Sequence, residues 1–199
     1  MSVTLRSALV VALLAASCTA VMAQPVRGTI EKVDGEVLTT RTSDGAELRL
    51  SLTENATIVA VVKTSMADLK EGTFLGSAAM PQPDGTQKAL EVHIFPEQIR
   101  GTGEGHRPFA PVPNGTMTNG ATSGLTVAGV DGHSIVVRYK DGEKTILIPP
   151  NVPILRYEIG GQGDLRVGAR FTVLAPVRKP DGTLEAGRIN VGRDGVVPQ

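Results

Sequence analysis

Leu48, Leu50 and Leu52 alternate with Glu47, Arg49 and Ser51. A period of two marks a strand with one buried and one wet face. Similar patterning predicts strands over 27–33, 36–42 and 46–52, with residues 56–62 (ATIVAVV) continuing as an extended apolar segment. Residues 65–72 predict one helical turn, with Ser65 as N-cap, Asp68 near its start and Gly72 as its stop. A last hairpin is expected over 73–80 and 88–95, around Pro83-Asp84-Gly85. Asp-Gly occurs seven times in the chain. Between β-forming stretches it signals a hairpin, because a type I′ turn needs positive φ at both central residues.

The pattern then returns. Arg41, Asp44 and Gly45 match Arg138, Asp141 and Gly142, 97 residues later. Asp68-Leu69-Lys70 and Gly72 match Asp164-Leu165-Arg166 and Gly168 at an offset of 96, and Pro83-Asp84-Gly85-Thr86 matches Pro180-Asp181-Gly182-Thr183 at 97. The first hairpin, Thr29-Ile30 to Val33-Asp34-Gly35, matches Thr126-Val127 to Val130-Asp131-Gly132. At the end of each unit, Ala89, Val92 and Ile94 pair with Ala186, Ile189 and Val191.

Three strands, a short helix and two strands is the order of an OB-type barrel. The fold expected is therefore all-β: two tandem small OB-like β-barrels, each with one helical turn, Leu69 and Leu165 plugging their ends. The first β-domain spans 24–95 and the second 125–199. Residues 96–124 are rich in Gly, Pro, Thr and Asn without periodicity and read as a linker or functional loop.

Residues 1–23 read as a signal peptide. Arg6 precedes the apolar run 8–16, and Val21-Met22-Ala23 offers a cleavage site before Gln24. The expected location is periplasmic or secreted. Cys18, the only cysteine, sits in a faint lipoprotein-box context, the less favoured outcome. If cleavage falls after Ala23, the mature chain carries no thiol chemistry. No later segment approaches the ~20 apolar residues of a membrane helix.

Charge narrows the partners. Twenty Lys and Arg balance twenty Asp and Glu, which argues against nucleic acid, since that needs a basic surface. Catalytic patterns such as G-x-S-x-G are missing, and Gly101-Thr102-Gly103-Glu104-Gly105 lacks the Lys and helix of a phosphate loop. The acids that recur in both units, Asp34, Asp44, Asp68 and Asp84, fall in turns or at a cap, and duplicated folding explains them. Arg41 and Arg138 are expected to pair with nearby acids.

The unduplicated part carries the candidates. Val92 and Ile94 are expected to point inward, leaving Glu91, His93 and Phe95 outward. His93 together with Glu97, Arg100, Glu104, His106 and Arg107 forms a candidate binding set. A divalent transition metal held by His93, Glu104, His106 and Met117 is the alternative, which the cation of Arg107 opposes.

The runs Glu91-Val92-His93-Ile94-Phe95-Pro96-Glu97, Arg100 to Pro108 and Met117-Thr118-Asn119 resemble an uncharacterised family of proteobacterial exported proteins with tandem domains of unknown function. The resemblance implies location and fold but no activity. Similar chains sometimes carry a metal-transporter permease label, which this sequence does not support. The function expected is a non-catalytic periplasmic module that binds an envelope protein or a small ligand. In an OB-like fold that ligand is expected over the face of strands 2 and 3.

Overall fold

A computed structural model describes residues 24–127 and 132–198. Residues 1–23, with the expected signal peptide and Cys18, and Val130 and Asp131 of the matched hairpin, lie outside the described residues. The described chain is nearly all β. Thirteen strands run as β1 (Val26–Asp34), β2 (Val37–Thr42), β3 (Glu47–Lys63), β4 (Phe74–Pro81), β5 (Gln87–Ile94), β6 (Gly105–Pro108), β7 (Thr116–Val127), β8 (His133–Tyr139), β9 (Gly142–Ile148), β10 (Ile154–Ile159), β11 (Arg170–Val173), β12 (Val177–Arg178) and β13 (Leu184–Gly192). One-turn 3-10 helices at Met66–Asp68 and Gln162–Asp164 occupy equivalent places in the two repeats. At the first, the Ser65 hydroxyl accepts from the Ala67 N–H, as its N-cap position requires. Among the described residues no helix is long and apolar enough to cross a membrane.

The strands do not close within each half of the sequence, as one barrel per half would require. β1, β2 and β3 of the first repeat form a closed five-strand barrel with β11 and β13 of the second, sealed by the parallel β13–β3 pairing. β4 and β5 of the first repeat complete a second ring with β7, β8 and β9, sealed by the short parallel pairing of β5 with β9. The cores follow the rings. One holds Ile30, Leu38 and Leu50 against Phe171, Leu184 and Ile189. The other holds Leu75, Val92 and Ile94 against Ile135, Ile146 and Ile148. Leu165 is buried in the first core and Leu69 in the second.

A four-strand bridge, β5–β10–β3–β13, joins the rings. In it Val61 pairs directly with Tyr157, its own repeat counterpart, so a pseudo-twofold axis passes through this pair. Ile154 opposite Val92 mirrors Ile58 opposite Ile189. β3 can run for 17 residues because its first half belongs to a ring and its second half to the bridge. The apolar run around Val59, Ala60 and Val61 is fully buried there, with a partner strand on either side.

Residues 116–124 are not linker. They form most of β7, pair with β4 and β8, and bury Met117, Thr118, Asn119 and Thr122. Polar positions replace the apolar alternation that would have announced the strand. Two of their donors are taken up locally: the Thr122 hydroxyl donates to the Lys70 carbonyl and the Asn119 amide N–H to the Thr102 carbonyl, 3.0 Å away.

Candidate functional site

His93 and Glu91 do not face solvent. Both are buried, 5% and 6% exposed, as is Phe95. They lie on the outer face of the ring, and what covers that face buries them; a β-bulge sets the facing. Ala79 pairs with Ala89 and Ala78 with Glu91, leaving Leu90 as the extra residue. A bulge reverses the facing of the positions beyond it. Ala89, Val92 and Ile94 therefore share the ring core, while Glu91, His93 and Phe95 turn to the outer face. The second repeat also shifts register at the matching place, where Ala186 pairs with Leu52 and Arg188 with Thr57, so that Gly187 and residues 53–56 are left unpaired. Arg188 and Asn190 thus stand where Glu91 and His93 stand in the first.

On this outer face, around the pseudo-axis, lies a cavity of about 110 Å³. Two rows of paired residues make part of its floor. Arg107, Met117, Ala78 and Glu91 face one another across β6, β7, β4 and β5, and Gly105, Asn119, Gly76 and His93 form the neighbouring row. The small residues of β4 leave the room. A Cβ on Gly76 would lie 2.2 Å from His93 Nε2 and 2.6 Å from Asn119 Oδ1. Thr102, Gly103 and Phe109 of the unduplicated segment close over the floor, and Leu174 lines it from the second repeat.

Aromatic rings position the imidazole. His93 stacks on Tyr157 at 4.8 Å between centroids, nearly parallel, and meets the edge of Phe95 at 5.0 Å. The Arg188 guanidinium lies 6.0 Å from the Tyr157 ring centre and donates from Nε to Asn190 Oδ1 at 3.1 Å. His93 Nδ1 is 3.7 Å from Glu91 Oε1, too long for a hydrogen bond. His93 Nδ1 and Asn119 Oδ1 are buried without a hydrogen-bond partner. Burial above all, and then the Glu91 charge, raise the Tyr157 phenol above its ordinary value, with Arg188 opposing, so it stays neutral. Burial lowers Arg188, and Tyr157 opposes that.

The candidate residues divide between several places. His93, Arg107 and Met117 line the cavity, although Arg107 also donates to the Gly103 carbonyl at 2.6 Å. Glu97 and Arg100 pair with each other at 2.8 Å, and Arg100 reaches the Gly72 carbonyl and lies over Phe74. Glu104 accepts from the Lys140 N–H at 3.0 Å. His106 shares a hydrogen bond with Thr118 at 2.8 Å; burial, then Lys144, push it below its ordinary value. Thr118 alternates with Met117 and Asn119 along β7, so His106 lies on the face opposite the cavity. The metal set of His93, Glu104, His106 and Met117 is therefore not brought together. Among the described residues no group of three or more His, Cys, Asp or Glu could hold a metal ion.

Sequence reasoning passed over Glu91, Asn119, Tyr157, Arg188 and Asn190. One signal was available: the repeat aligns Glu91 with Arg188 and His93 with Asn190, polar pairs inside otherwise apolar strands. The recurring acids do serve turns. Asp84 accepts from the Thr86 N–H and hydroxyl at 3.0 and 2.7 Å, and Asp181 from those of Thr183 at 2.9 and 2.6 Å. Arg41 pairs with Glu31 at 2.6 Å and Arg138 with Glu143 at 2.9 Å.

No family model, curated protein or solved structure matches the chain.

Proposed function

We propose that the chain is an exported, non-catalytic binding module of the periplasm, built as two OB-like rings that exchange strands, and that it holds a small polar ligand in the cavity at the pseudo-axis. One observation carries this reading: His93 and Asn119, both more than nine-tenths buried, line the cavity, and each holds a polar atom without a hydrogen-bond partner. A buried polar group left unmatched costs about 1–3 kcal/mol. A ligand that matches both atoms recovers that cost, and this favours a small ligand over a protein partner. The site departs from the expected strand 2–3 face and lies against β5 and β13 instead. Export rests on the pattern of residues 1–23. The non-catalytic part rests on the lining: its one aliphatic hydroxyl, Thr102, donates to the Ile99 carbonyl at 2.6 Å, so no base in the cavity activates it.

The test is native mass spectrometry of the full chain against a library of small polar metabolites, run beside Ala78→Leu, which fills the floor. A metabolite that adds to the chain and is lost in the variant supports the reading. A binder indifferent to Ala78→Leu, or no binder at all, overturns it.

A further inference from the structure

We infer that the ligand is a small zwitterion, an aminocarboxylate whose ammonium end lies toward Glu91 and whose carboxylate lies toward Arg188. This rests on the cavity being the binding site and adds the chemistry of what fills it.

The duplication supplies the first reason. A symmetric pair of repeats would place the same side chain on both flanks of the pseudo-axis. Here the matched positions carry opposite charges, Glu91 on β5 and Arg188 on β13, and both line one cavity. They do not neutralise each other. The Arg188 bond is from Nε to Asn190, which leaves the outer fork of its guanidinium for an anion. The polar neighbour of Glu91 is His93, at 3.7 Å. The cavity thus carries Glu91 at one flank and Arg188 at the other, while Arg107, beyond Glu91 in the same row, is engaged by the Gly103 carbonyl.

The unpartnered atoms agree with that arrangement. Asn119 Oδ1 is an acceptor only, and it lies with His93 over Gly76, on the Glu91 side. An ammonium group, with its several donors, answers Glu91 and Asn119 together. Much of the remaining lining is hydrocarbon and aromatic: Phe95 and Leu174, with Ala78 and Met117 beyond Glu91 toward Arg107. Such a wall suits the carbon chain of an amino acid.

Other small ligands meet a conflict. An inorganic anion drawn to Arg188 shares the cavity with the Glu91 carboxylate. A simple amine drawn to Glu91 shares it with Arg188 and Arg107. Only a molecule bearing both charges satisfies the two flanks at once.

Calorimetric titration of the full chain decides the matter. The probes are aminocarboxylates of growing charge separation, from alanine to 6-aminohexanoate, with hexanoate and hexylamine as single-charge controls. One separation should bind best, about tenfold or more tighter than either control. Glu91→Gln, which keeps the shape, should weaken that probe at least tenfold without weakening hexanoate. Arg188→Met should weaken it likewise without weakening hexylamine. Hexanoate or hexylamine binding as tightly as the best zwitterion, or no aminocarboxylate binding, overturns the assignment. A binder of another class that is lost in Ala78→Leu would then leave the binding module standing, so the two failures are distinguishable.

Discussion

At Gly76 a single hydrogen in place of a methyl group keeps the site open. His93 and Asn119 fold over that position, and the imidazole is pinned by Tyr157 and Phe95. Gly76→Ala should therefore destabilise the chain by about 1–3 kcal/mol, the usual cost of overpacking, measured by urea denaturation. Adding His93→Ala should return part of that loss, since one of the two clash partners is gone; strictly additive effects would show that Gly76 and His93 do not meet. The same neighbourhood shows what one residue can hide. Alternation alone assigns Glu91 and His93 to solvent. The bulge at Leu90 only reverses the strand's facing, and it is the cover over the outer face that buries them. Neither the bulge nor a cover built from β6, β7 and Tyr157 is written in the local pattern. Asp84 and Asp181 were legible because an Asp two residues before a Thr closes its turn with atoms of its own segment.

Elements held by local hydrogen bonds were equally legible: the capped turn at Ser65 and the hairpins near Asp44, Asp84 and Asp181, although there only the Gly, and not the Asp, takes the positive φ that a type I′ turn asks of both. β7 was not, because apart from Met117 its buried positions are Thr, Asn and Gly. The register also sets it back along the chain: Thr29 stands opposite Arg41, but Ala121, not Thr126, stands opposite Arg138. The end of β13 is fixed by a cation. Arg193 grips Asp164 through two bonds of 2.7 and 3.1 Å and reaches Glu158 at 2.6 Å, tying β13 to the helical turn at Gln162–Asp164 and to β10. The Asp164 carboxyl is held below its ordinary value, first by Arg193 and also by the Gly161 N–H, against the opposing effect of burial. An acid depressed in the folded state stabilises above its unfolded pKa of about 3.9 and loses that contribution as pH falls through the lower folded value. Asp164→Asn should cost about 1 kcal/mol at pH 7. It should also remove part of the acid-side loss of stability below pH ~4. Parallel acid limbs for the two proteins in denaturation series would contradict this.

Across the whole molecule, each core draws side chains from both repeats. Two barrels that each closed on one half could melt separately; these rings should not. Calorimetry should give one unfolding transition. Phe171→Ala, which empties a site 1% exposed in the first core, should lower that single transition at a cost of about 3–5 kcal/mol. Two resolved transitions, with one unmoved by the substitution, would refute the coupling. The offsets of 96 and 97 between matching residues were readable from sequence, because they recur over many residues. The exchange was not, because β4 and β5 carry the same inward pattern whichever set of three strands they join. Strand exchange also gives the chain a timetable. The ring of β4, β5, β7, β8 and β9 has all its strands once residue 148 has been made. The barrel begun by β1, β2 and β3 waits for β13, which ends at Gly192. During synthesis from the N-terminus, the earliest strands are the last to be enclosed, and a chain shortened before β13 strands them with their inner faces open.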